Sequence, residues 1–558
     1  MASVFVVLLS ACGGGGVAVA PQSTPVRTSS AAPTATPVAT PTPAPVGSAA
    51  FNDWPTYGYD AARDGFNPNT TRISPASIAN GGLHLAWQVA GGTAQTQPIV
   101  ATNVAGHQAL VIVADGSSID AYDGLTGSAV WTQPNLQTQN LQACGTLDVA
   151  GTPYYDAALG ALFVAAGNGS SPNHVILYEL SVTSGSILSQ LDVTPTLLAG
   201  ETTSAHTSVT AANGLLYLGT GSNCETASWR GRVVSVNPSS MTLQNTFFTT
   251  YGVGGNPYGG GGVWGWGGVS ADSSGNIYVA TGNAETSSSA SAPFVAAPNE
   301  QAGYGEHLVK LSGDLSTVEG SNYPGFNFAN SGDLDYTGTP VVFAPSGCDL
   351  MSGTQDKSGT LVINDTTNLS TPTSYQLSEP SGKAAYTDNP GYSPGTGLLY
   401  AAVASSQDGS LEPPGMVALA FSSCSSSILW HAQFGPDSFS YTSYGGGSWP
   451  RSAPTVTAGG VAFMGTPCTS NGSGGCGTPG APSGALWAVD ASTGTVLGGG
   501  NPVLMTPDNI RMAPSADGYW LWVMDDSGNL YGLTVDPSVH AIAQRPGTRS
   551  LPTFRMPR

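Results

Sequence analysis

Short apolar stretches separated by turn residues recur along most of the chain. The clearest unit spans residues 109–131, where two apolar stretches flank an Asp-Gly turn and a third follows a Thr126-Gly127 turn and ends at Trp131. Gly127 suits a turn position with positive φ, and the Asp123 carboxylate can accept hydrogen bonds from the amides of that turn. The pattern predicts consecutive antiparallel strands joined by tight turns.

This unit recurs at 486–497, with weaker copies at 178–188 and 233–247. Each repeat is preceded by a proline or a pair of small residues that opens a short apolar strand, and proline fits the first residue of a strand, where its missing N–H costs nothing. Eight such markers have a mean spacing of about 59 residues, enough for four short strands with their loops. They lie at Pro98, Pro153, Ser208, Gly268, Pro340, Pro390, Pro454 and Pro514.

These markers predict an all-β chain with a single eight-bladed β-propeller of four-stranded antiparallel blades. Residues 83–89 precede the first blade and are predicted to supply the outer strand of the last blade, which closes the ring. The one helix signal is 74–81, which has an N-cap serine, a proline at the first helical position and a glycine stop. The predicted blades are 96–133, 148–193, 206–250, 263–322, 335–378, 386–434, 449–498 and 511–543.

The repeat also carries a family resemblance. The spacing of Asp123, Thr126, Gly127 and Trp131 resembles the repeat of PQQ-like β-propellers, and the Asp-Trp-Pro-Thr-Tyr-Gly-Tyr-Asp sequence that begins at Asp53 is similar to the start of quinoprotein alcohol dehydrogenase-like propellers. Residues 223–236, 262–266 and 271–283 resemble one quinoprotein-like subgroup more closely. The resemblance covers 51–545. It implies the propeller fold, in a superfamily that contains pyrroloquinoline quinone (PQQ) dehydrogenases and also propellers without a cofactor, such as lipoprotein assembly factors.

Charge excludes several classes of partner. Charged residues make up 9% of the chain, the net charge is −20, and only three residues are lysines. Because binding to a nucleic acid requires clustered Lys and Arg, we expect no nucleic-acid partner, and no polybasic membrane patch.

The N-terminus resembles a bacterial lipoprotein signal. Residues 4–9 are apolar but too few to span a bilayer, and the following Leu-Ser-Ala-Cys order resembles a lipobox in which Cys12 is lipidated. The alternative is an apolar N-terminus with an unmodified cysteine. We therefore predict a signal peptide over 1–12 and a lipid-anchored, extracytoplasmic protein at the cell surface or in the periplasm. The predicted regions after it are a Pro/Thr/Ala/Ser-rich disordered spacer at 13–50, a segment at 51–82 that packs on the propeller, the propeller at 83–545 and a tail at 546–558.

Six cysteines remain after Cys12, an even number that suggests three disulfides in an exported chain. Alternate turns of a propeller lie on opposite faces of the ring, so cysteines can pair only when their turns share a face. This favours the pairs Cys144–Cys224, Cys348–Cys424 and Cys468–Cys476, and the alternative is free, buried thiols.

Propeller sites usually surround the channel mouth, where the inner strands begin. Two arginines there could hold a carboxylate, and Trp264 or Trp266 could stack on a planar ligand or a sugar ring. The alternative is that these polar groups satisfy one another and water. We expect Arg451, Arg511, Asp335, His206 and one of the two tryptophans to converge. The positions in question are Gln95, Asp148, His206, Trp264, Trp266, Asp335, Asp388, Arg451 and Arg511.

Two functions remain open at this point. The first is a binding or scaffolding propeller without its own catalysis. We expect it to be a monomer that binds a protein or a carbohydrate, with neither a cofactor nor a metal. The second is a PQQ-dependent dehydrogenase of alcohols or sugars, which would use PQQ with Ca²⁺. The resemblance implies an adjacent cysteine pair and a catalytic aspartate in such an enzyme. No two cysteines here are adjacent, and Asp335 and Asp388 are the only candidates for the aspartate that acts as base or ligand.

Overall fold

The computed structural model describes residues 51–542, with the exception of 70, 80, 93–95, 141–145, 199, 206, 223–228, 251–258, 284–302, 324–335, 379–388, 404–414, 435–451 and 468–483. Three elements precede the first blade: β1 (Phe66–Asn67), helix α1 (Pro75–Ala79) and β2 (His84–Val89). The helix is the predicted one, and the amide of Ser77 donates to the hydroxyl of the N-cap Ser74 over 3.2 Å.

The first four blades follow in chain order, and each is an antiparallel sheet of four consecutive strands. A two-stranded ribbon lies between the first two blades. The strands are β3 (Ile99–Val104), β4 (His107–Asp115), β5 (Ser118–Asp123) and β6 (Ala129–Gln133); the ribbon β7 (Gln139–Asn140) and β8 (Thr146–Leu147); β9 (Tyr154–Asp156), β10 (Ala161–Ala166), β11 (Ile176–Ser181) and β12 (Ile187–Asp192); β13 (Thr210–Ala212), β14 (Leu215–Thr220), β15 (Arg232–Asn237) and β16 (Thr242–Phe248); and β17 (Ser270–Ala271), β18 (Ile277–Ala280), β19 (Leu308–Leu311) and β20 (Val318–Asn322).

Blades 5 to 7 repeat the same order, and blade 8 has three consecutive strands. A short 3-10 turn at Gly498–Gly500 precedes the last strand of blade 7. The strands are β21 (Val341–Phe343), β22 (Met351–Gln355), β23 (Thr360–Asp365) and β24 (Asn368–Gln376); β25 (Gly391–Ser393), β26 (Leu398–Val403), β27 (Gly415–Ser422) and β28 (Ser425–Gln433); β29 (Thr455–Thr457), β30 (Val461–Pro467), β31 (Gly484–Asp490) and β32 (Leu504–Thr506); and β33 (Ser515–Asp517), β34 (Trp520–Met524) and β35 (Leu530–Thr534).

The N-terminal strand β2 completes blade 8. It pairs antiparallel with β35, with Leu85 opposite Leu533. The predicted all-β fold, the eight blades and the closure of the ring by the N-terminal strand are therefore confirmed. One pairing was not predicted: β1 joins the first strand of blade 7 in parallel, so that this sheet has five strands.

A tryptophan on the outer strand of one blade packs against the turn glycine of the next. A Cβ atom at Gly127 would lie 2.7 Å from the Trp87 ring, and Gly127 has a φ of 69°, so only glycine suits this position. The Asp123 carboxylate accepts hydrogen bonds from the amides of Leu125 and Thr126, as predicted. The same contact joins Trp87 with Gly127, Trp131 with Gly185, and Trp430 with Gly494. The repeated Thr-Gly and Trp positions thus hold neighbouring blades together.

Residues 52–67 lie inside the ring, and we call this segment the axial plug. The first strands of neighbouring blades contact one another, so they line the axis, and the plug bonds to the start of every blade in turn. Because it reaches all eight blades, it closes the channel on one side. Its contacts run from Trp54 with Val100 (blade 1) through Pro55 with Tyr155, Thr56 with Val209, Ala61 with Ala271, Ala62 with Val342, Asp64 with Tyr392 and Gly65 with Val456 to Asn67 with Ala516 (blade 8).

Arg63 is the buried centre of the axial plug. Its side chain is fully buried, and its backbone has a positive φ of 62°. Burial lowers the pKa of Arg63 to about 9, and the nearby Asp60 opposes this shift, so the guanidinium stays charged at neutral pH. It donates from Nε to Val269 O (3.3 Å), from Nη1 to Thr56 Oγ1 (2.9 Å) and Tyr57 O, and from Nη2 to Val209 O (3.2 Å) and Thr210 Oγ1 (2.5 Å).

One disulfide is present among the described residues. Cys348, in the first turn of blade 5, bonds Cys424, in the last turn of blade 6, with a Cα–Cα distance of 5.4 Å. This pair is confirmed as predicted from the shared face of the two turns. Cys12 and the other two predicted pairs, Cys144–Cys224 and Cys468–Cys476, lie outside the described residues. Within the described ranges, no helix is long and apolar enough to cross a membrane.

Candidate functional site

The structure describes four of the predicted site residues: Asp148, Trp264, Trp266 and Arg511. Gln95, His206, Asp335, Asp388 and Arg451 lie outside the described residues, so their predicted convergence remains a prediction. The described four all lie in segments that lead from one blade into the next, on the side of the ring where the first strand of each blade begins.

Trp266 crosses the mouth of the channel. It belongs to the segment that leads into blade 4, yet its ring packs against residues that open three other blades. These are Leu147 and Ala150 before blade 2, Ala453 before blade 7, Met512 and Ala513 before blade 8, and Tyr57 of the axial plug. A side chain that contacts blades on opposite sides of the ring must lie over its axis.

Glycines and one serine hold Trp266 in this position. A Cβ atom at Gly265 would lie 2.5 Å from Thr339, and one at Gly267 would lie 2.9 Å from Tyr57, so the segment can approach the axis only with glycine on both sides of the tryptophan. The amide and hydroxyl of Ser208 both donate to the carbonyl of Trp266, over 2.7 and 2.8 Å. The indole is therefore placed by rigid backbone contacts, which favours a defined stacking surface.

Arg511 lies beside Trp266, and the structure thus brings these two predicted residues together. The guanidinium carbon is 5.9 Å from the centre of the Trp266 ring, within the range of a cation–π contact. Its Nη2 donates to Asp526 Oδ2 over 2.7 Å, while the Arg511 side chain is only 6% exposed. Nε and Nη1 are buried and have no acceptor among the described residues. Within the described ranges, these two charged donors are therefore left for a further acceptor.

The acidic residues around Arg511 come from the turn between the second and third strands of blade 8, a contribution not predicted from the sequence. Burial raises the pKa of Asp526 to about 6, although Arg511 opposes the shift, and burial raises the pKa of Asp525 to about 7. Asn509 contacts the same Asp526 oxygen at 3.5 Å. At pH 7 Asp526 neutralises the charge of Arg511 but occupies only one of its nitrogens.

Trp264 occupies a different environment. Its ring lies 5.6 Å from that of the buried Trp229, and Cβ atoms at Gly221 and Gly262 would lie 2.9 and 2.5 Å from it. It thus packs against blade 3. Asp148 follows Leu147, the last residue of the ribbon, and precedes Ala150. Both of these residues belong to the cluster against which Trp266 packs, so Asp148 is close in sequence to residues of the mouth. Its side chain is half-buried.

The described residues fit a planar anion better than a calcium ion. The carboxylate of Asp272 is bonded within its own turn by the amides of Ser274 and Asn276, and that of Asp525 by Asn529 and Tyr531. Among the described residues, no group of three His, Cys, Asp or Glu side chains is placed to bind a metal. PQQ, a planar quinone with three carboxylates, would find in Arg511 two donors and in Trp266 a flat surface.

No known family model matches this chain, and no curated protein sequence does. Solved structures with a similar fold include the quinohemoprotein alcohol dehydrogenase from Comamonas testosteroni (TM-score 0.62, 17% identity, over 90% of this chain and 82% of that chain) and a europium-containing methanol dehydrogenase (0.59, 14%, 86% and 98%). A third is the quinohemoprotein alcohol dehydrogenase ADHIIG from Pseudomonas putida HK5 (0.61, 13%, 90% and 83%). The chain therefore has an eight-bladed β-propeller fold similar to that of these alcohol and methanol dehydrogenases.

Proposed function

We propose that this protein is a membrane-anchored, extracytoplasmic binding propeller without catalysis of its own, and that the mouth of its plugged channel takes a planar, anionic ligand. The observation that carries this proposal is the environment of Arg511. Two of its buried nitrogens lack an acceptor in the described part of the chain, and its guanidinium lies over an indole that rigid contacts fix at the axis.

Such an arrangement is costly unless it is completed by a ligand. A buried donor without an acceptor costs about 1–3 kcal/mol, and more when the group is charged. A carboxylate on a flat ring would supply the missing acceptors to Arg511 while the ring stacks on Trp266. The axial plug lies beneath, with Tyr57 in contact with Trp266, so a ligand can enter from one side only.

The carboxylate of Asp526, which contacts Arg511, supports binding rather than catalysis. Asp526 is held by Arg511 and Asn509, so it is engaged in an ion pair and not presented as a general base. A protein or a carbohydrate that bears a carboxylate on a flat surface would meet the same donors. The site therefore specifies a planar carboxylate as the ligand group, but not the molecule that carries it.

A second candidate function is a PQQ-dependent dehydrogenase of alcohols or sugars that uses the same mouth. The similarity in fold to two quinohemoprotein alcohol dehydrogenases and a methanol dehydrogenase, at TM-scores of 0.59–0.62, favours it. PQQ, when bound, would accept the two electrons of the oxidation. Arg511 would hold a carboxylate of the quinone, Trp266 would orient its plane, and Asp335 or Asp388 would be the candidate for the base that takes the substrate proton.

A titration of the full-length protein separates the two functions. For a binding propeller we expect the redox-inert naphthalene-2,6-dicarboxylate to bind, and no dye reduction when PQQ, Ca²⁺ and alcohols or sugars are added. Substrate-dependent dye reduction with PQQ would favour the dehydrogenase instead. If neither planar carboxylate binds, the proposed ligand site is wrong.

The variant Arg511→Lys tests the role of the free nitrogens. Lysine can keep the ion pair with Asp526 but lacks Nε and Nη1, so we expect affinity for naphthalene-2,6-dicarboxylate to fall by about tenfold or more. Calorimetric titration measures this change, and the melting temperature should stay within a few degrees. The matched control is Arg72→Lys on the surface, which should bind like the original protein. Equal affinities for the two variants would contradict the assignment of Arg511.

Membrane anchoring is the second part of the proposal. The disulfide between Cys348 and Cys424 supports an oxidising compartment, and the lipobox-like sequence supplies Cys12 as the lipidated residue. We expect Cys12→Ser to move the protein from the membrane fraction to the soluble fraction, while its melting temperature stays the same because Cys12 precedes the propeller. The measurement is fractionation followed by immunoblotting, with Cys348→Ser as a cysteine control that should remain on the membrane. Retention of Cys12→Ser in the membrane fraction would exclude a lipid anchor at this residue.

A further inference from the structure

A second group of charged side chains is buried in blade 3, and it shares no residue with the channel mouth. Glu201 lies in the segment that leads into this blade, Arg232 begins β15, and Arg230 precedes it by two residues. We call these three residues the Glu201–Arg230–Arg232 cluster. The side chain of Glu201 is fully buried, that of Arg232 is 3% exposed, and that of Arg230 is 15% exposed.

Both arginines of the cluster share one carboxylate oxygen. Arg230 Nε donates to Glu201 Oε1 over 3.1 Å, and Arg232 Nη2 donates to the same atom. The other oxygen, Oε2, accepts the amide of Leu198 over 2.8 Å. Because the two guanidinium groups bond one atom, they are held close together, and the single carboxylate of Glu201 has no further oxygen for their remaining N–H groups.

The two guanidinium groups of the cluster bond a single carboxylate, that of Glu201. The carboxylate of Asp192, whose Oδ2 lies 2.7 Å from Nδ1 of His174, also acts on Arg232, but more weakly than Glu201 does. Burial lowers the pKa of Arg232, Glu201 raises it, and the neighbouring charge of Arg230 lowers it. An anion placed against two largely buried guanidinium groups is strongly stabilised, since Coulomb interactions are strong where water is excluded.

One donor of the cluster has no acceptor among the described residues: Arg232 Nη1 is buried and makes no hydrogen bond there. Phe248, at the end of β16, packs against both guanidinium groups, with its ring centre 3.8 Å from the guanidinium carbon of Arg230 and 5.3 Å from that of Arg232. An aromatic ring fixes the planes of the two groups by cation–π contact but accepts no conventional hydrogen bond from their edges. The two guanidinium groups are therefore oriented and close together, and that of Arg232 is incompletely bonded.

We infer that the Glu201–Arg230–Arg232 cluster binds an oxyanion, a carboxylate or a phosphate group, between Arg230 and Arg232. Arg232 Nη1 supplies a donor from the interior and the partly exposed Arg230 supplies donors from the solvent side. One oxyanion with several acceptor oxygens can satisfy both, as bidentate arginine sites do.

The test is titration of the full-length protein with sodium phosphate and with sodium acetate at constant ionic strength. We expect saturable heat and a rise in melting temperature for the original protein. Arg230→Gln should weaken binding at least tenfold, because it removes the donors that the partly exposed Arg230 supplies from the solvent side. Arg72→Gln, on the surface, is the matched control and should bind like the original protein.

Glu201→Gln provides a change in the opposite direction. Removal of the internal carboxylate leaves the two arginines with only the weaker influence of Asp192, so this variant should melt at a lower temperature and gain a larger stabilisation from phosphate than the original protein does. Tighter binding of phosphate than of acetate would identify a phosphorylated ligand, and equal or tighter binding of acetate would identify a carboxylate. No saturable binding of either anion, or identical titrations for Arg230→Gln and Arg72→Gln, would overturn the inference, and the Arg230→Gln comparison stands even if Glu201→Gln does not fold.

Discussion

Arg63→Met should lower the free energy of unfolding by about 4 kcal/mol or more, one of the largest effects expected from a single substitution in this chain. Methionine fills much of the same volume but donates no hydrogen bond. The variant would leave Tyr57 O, Thr210 Oγ1 and other acceptors without the charged donor that now joins the plug to blades 3 and 4. Urea unfolding followed by tryptophan fluorescence measures the change.

The matched control for Arg63 is Arg72→Met. Arg72 is exposed, and surface substitutions of this kind usually change stability by less than about 0.5 kcal/mol. The comparison separates loss of the buried hydrogen bonds from loss of one positive charge in a chain with net charge −20. Similar unfolding midpoints for the two variants would show that the plug does not stabilise the ring.

Trp87→Ala should cost about 3–5 kcal/mol, because it removes a large buried side chain at the place where the two ends of the propeller meet. Trp87 is 6% exposed, packs against Gly127 and Gly532, and donates from Nε1 to Gly124 O over 3.1 Å. Its loss should loosen both blade 8 and the boundary with blade 1. Hydrogen exchange of β2 and β35 should increase more than that of the other blades.

Trp131→Ala is the matched control for ring closure. Trp131 makes the same kind of contact with Gly185, and its Nε1 donates to Val182 O over 3.0 Å, but it joins blades that are also continuous in the chain. It is half-buried, so a smaller loss of stability is expected, without faster exchange in β2. If both variants accelerate exchange in β2 and β35 equally, the closure contact has no special role.

The blades could be predicted because each one repeats a local pattern. The Asp123 turn, the positive φ of Gly127 and the proline that opens six of the eight first strands are set by neighbours in sequence. Helix α1 has its own cap and stop signals. The pair Cys348–Cys424 could be predicted once the strands of each blade were assigned, because the position of a turn within its blade places a cysteine on one face of the ring.

The axial plug and the details of the mouth could not be predicted in this way. The plug has no periodic pattern, and its bonds use backbone atoms of residues far away in the chain, as in the contact between Asn67 and Ala516. The partner of Arg511 lies in a turn of blade 8 where Asp525 and Asp526 are adjacent, and only the fold shows which of them faces the arginine. Arg230 and Arg232 lie in the stretch 223–236 that carries the family resemblance, and arginine is scarce, with eleven residues in the chain, but neither signal shows what these side chains bond.

The path of the N-terminal segment has a consequence for the order of folding. The plug and β2 are synthesised before the blades, but their partners in and after blade 8 follow much later: 465 residues separate Asn52 from Asp517, and 455 separate His84 from Val539, to which they bond. The entropy cost of closing such a long loop grows only slowly with length, but the search for the contact is slow. The plug can therefore meet blades 1 to 7 one after another as they are made, whereas its contacts with blade 8 and the closure of the ring by β2 must wait until blade 8 has been synthesised.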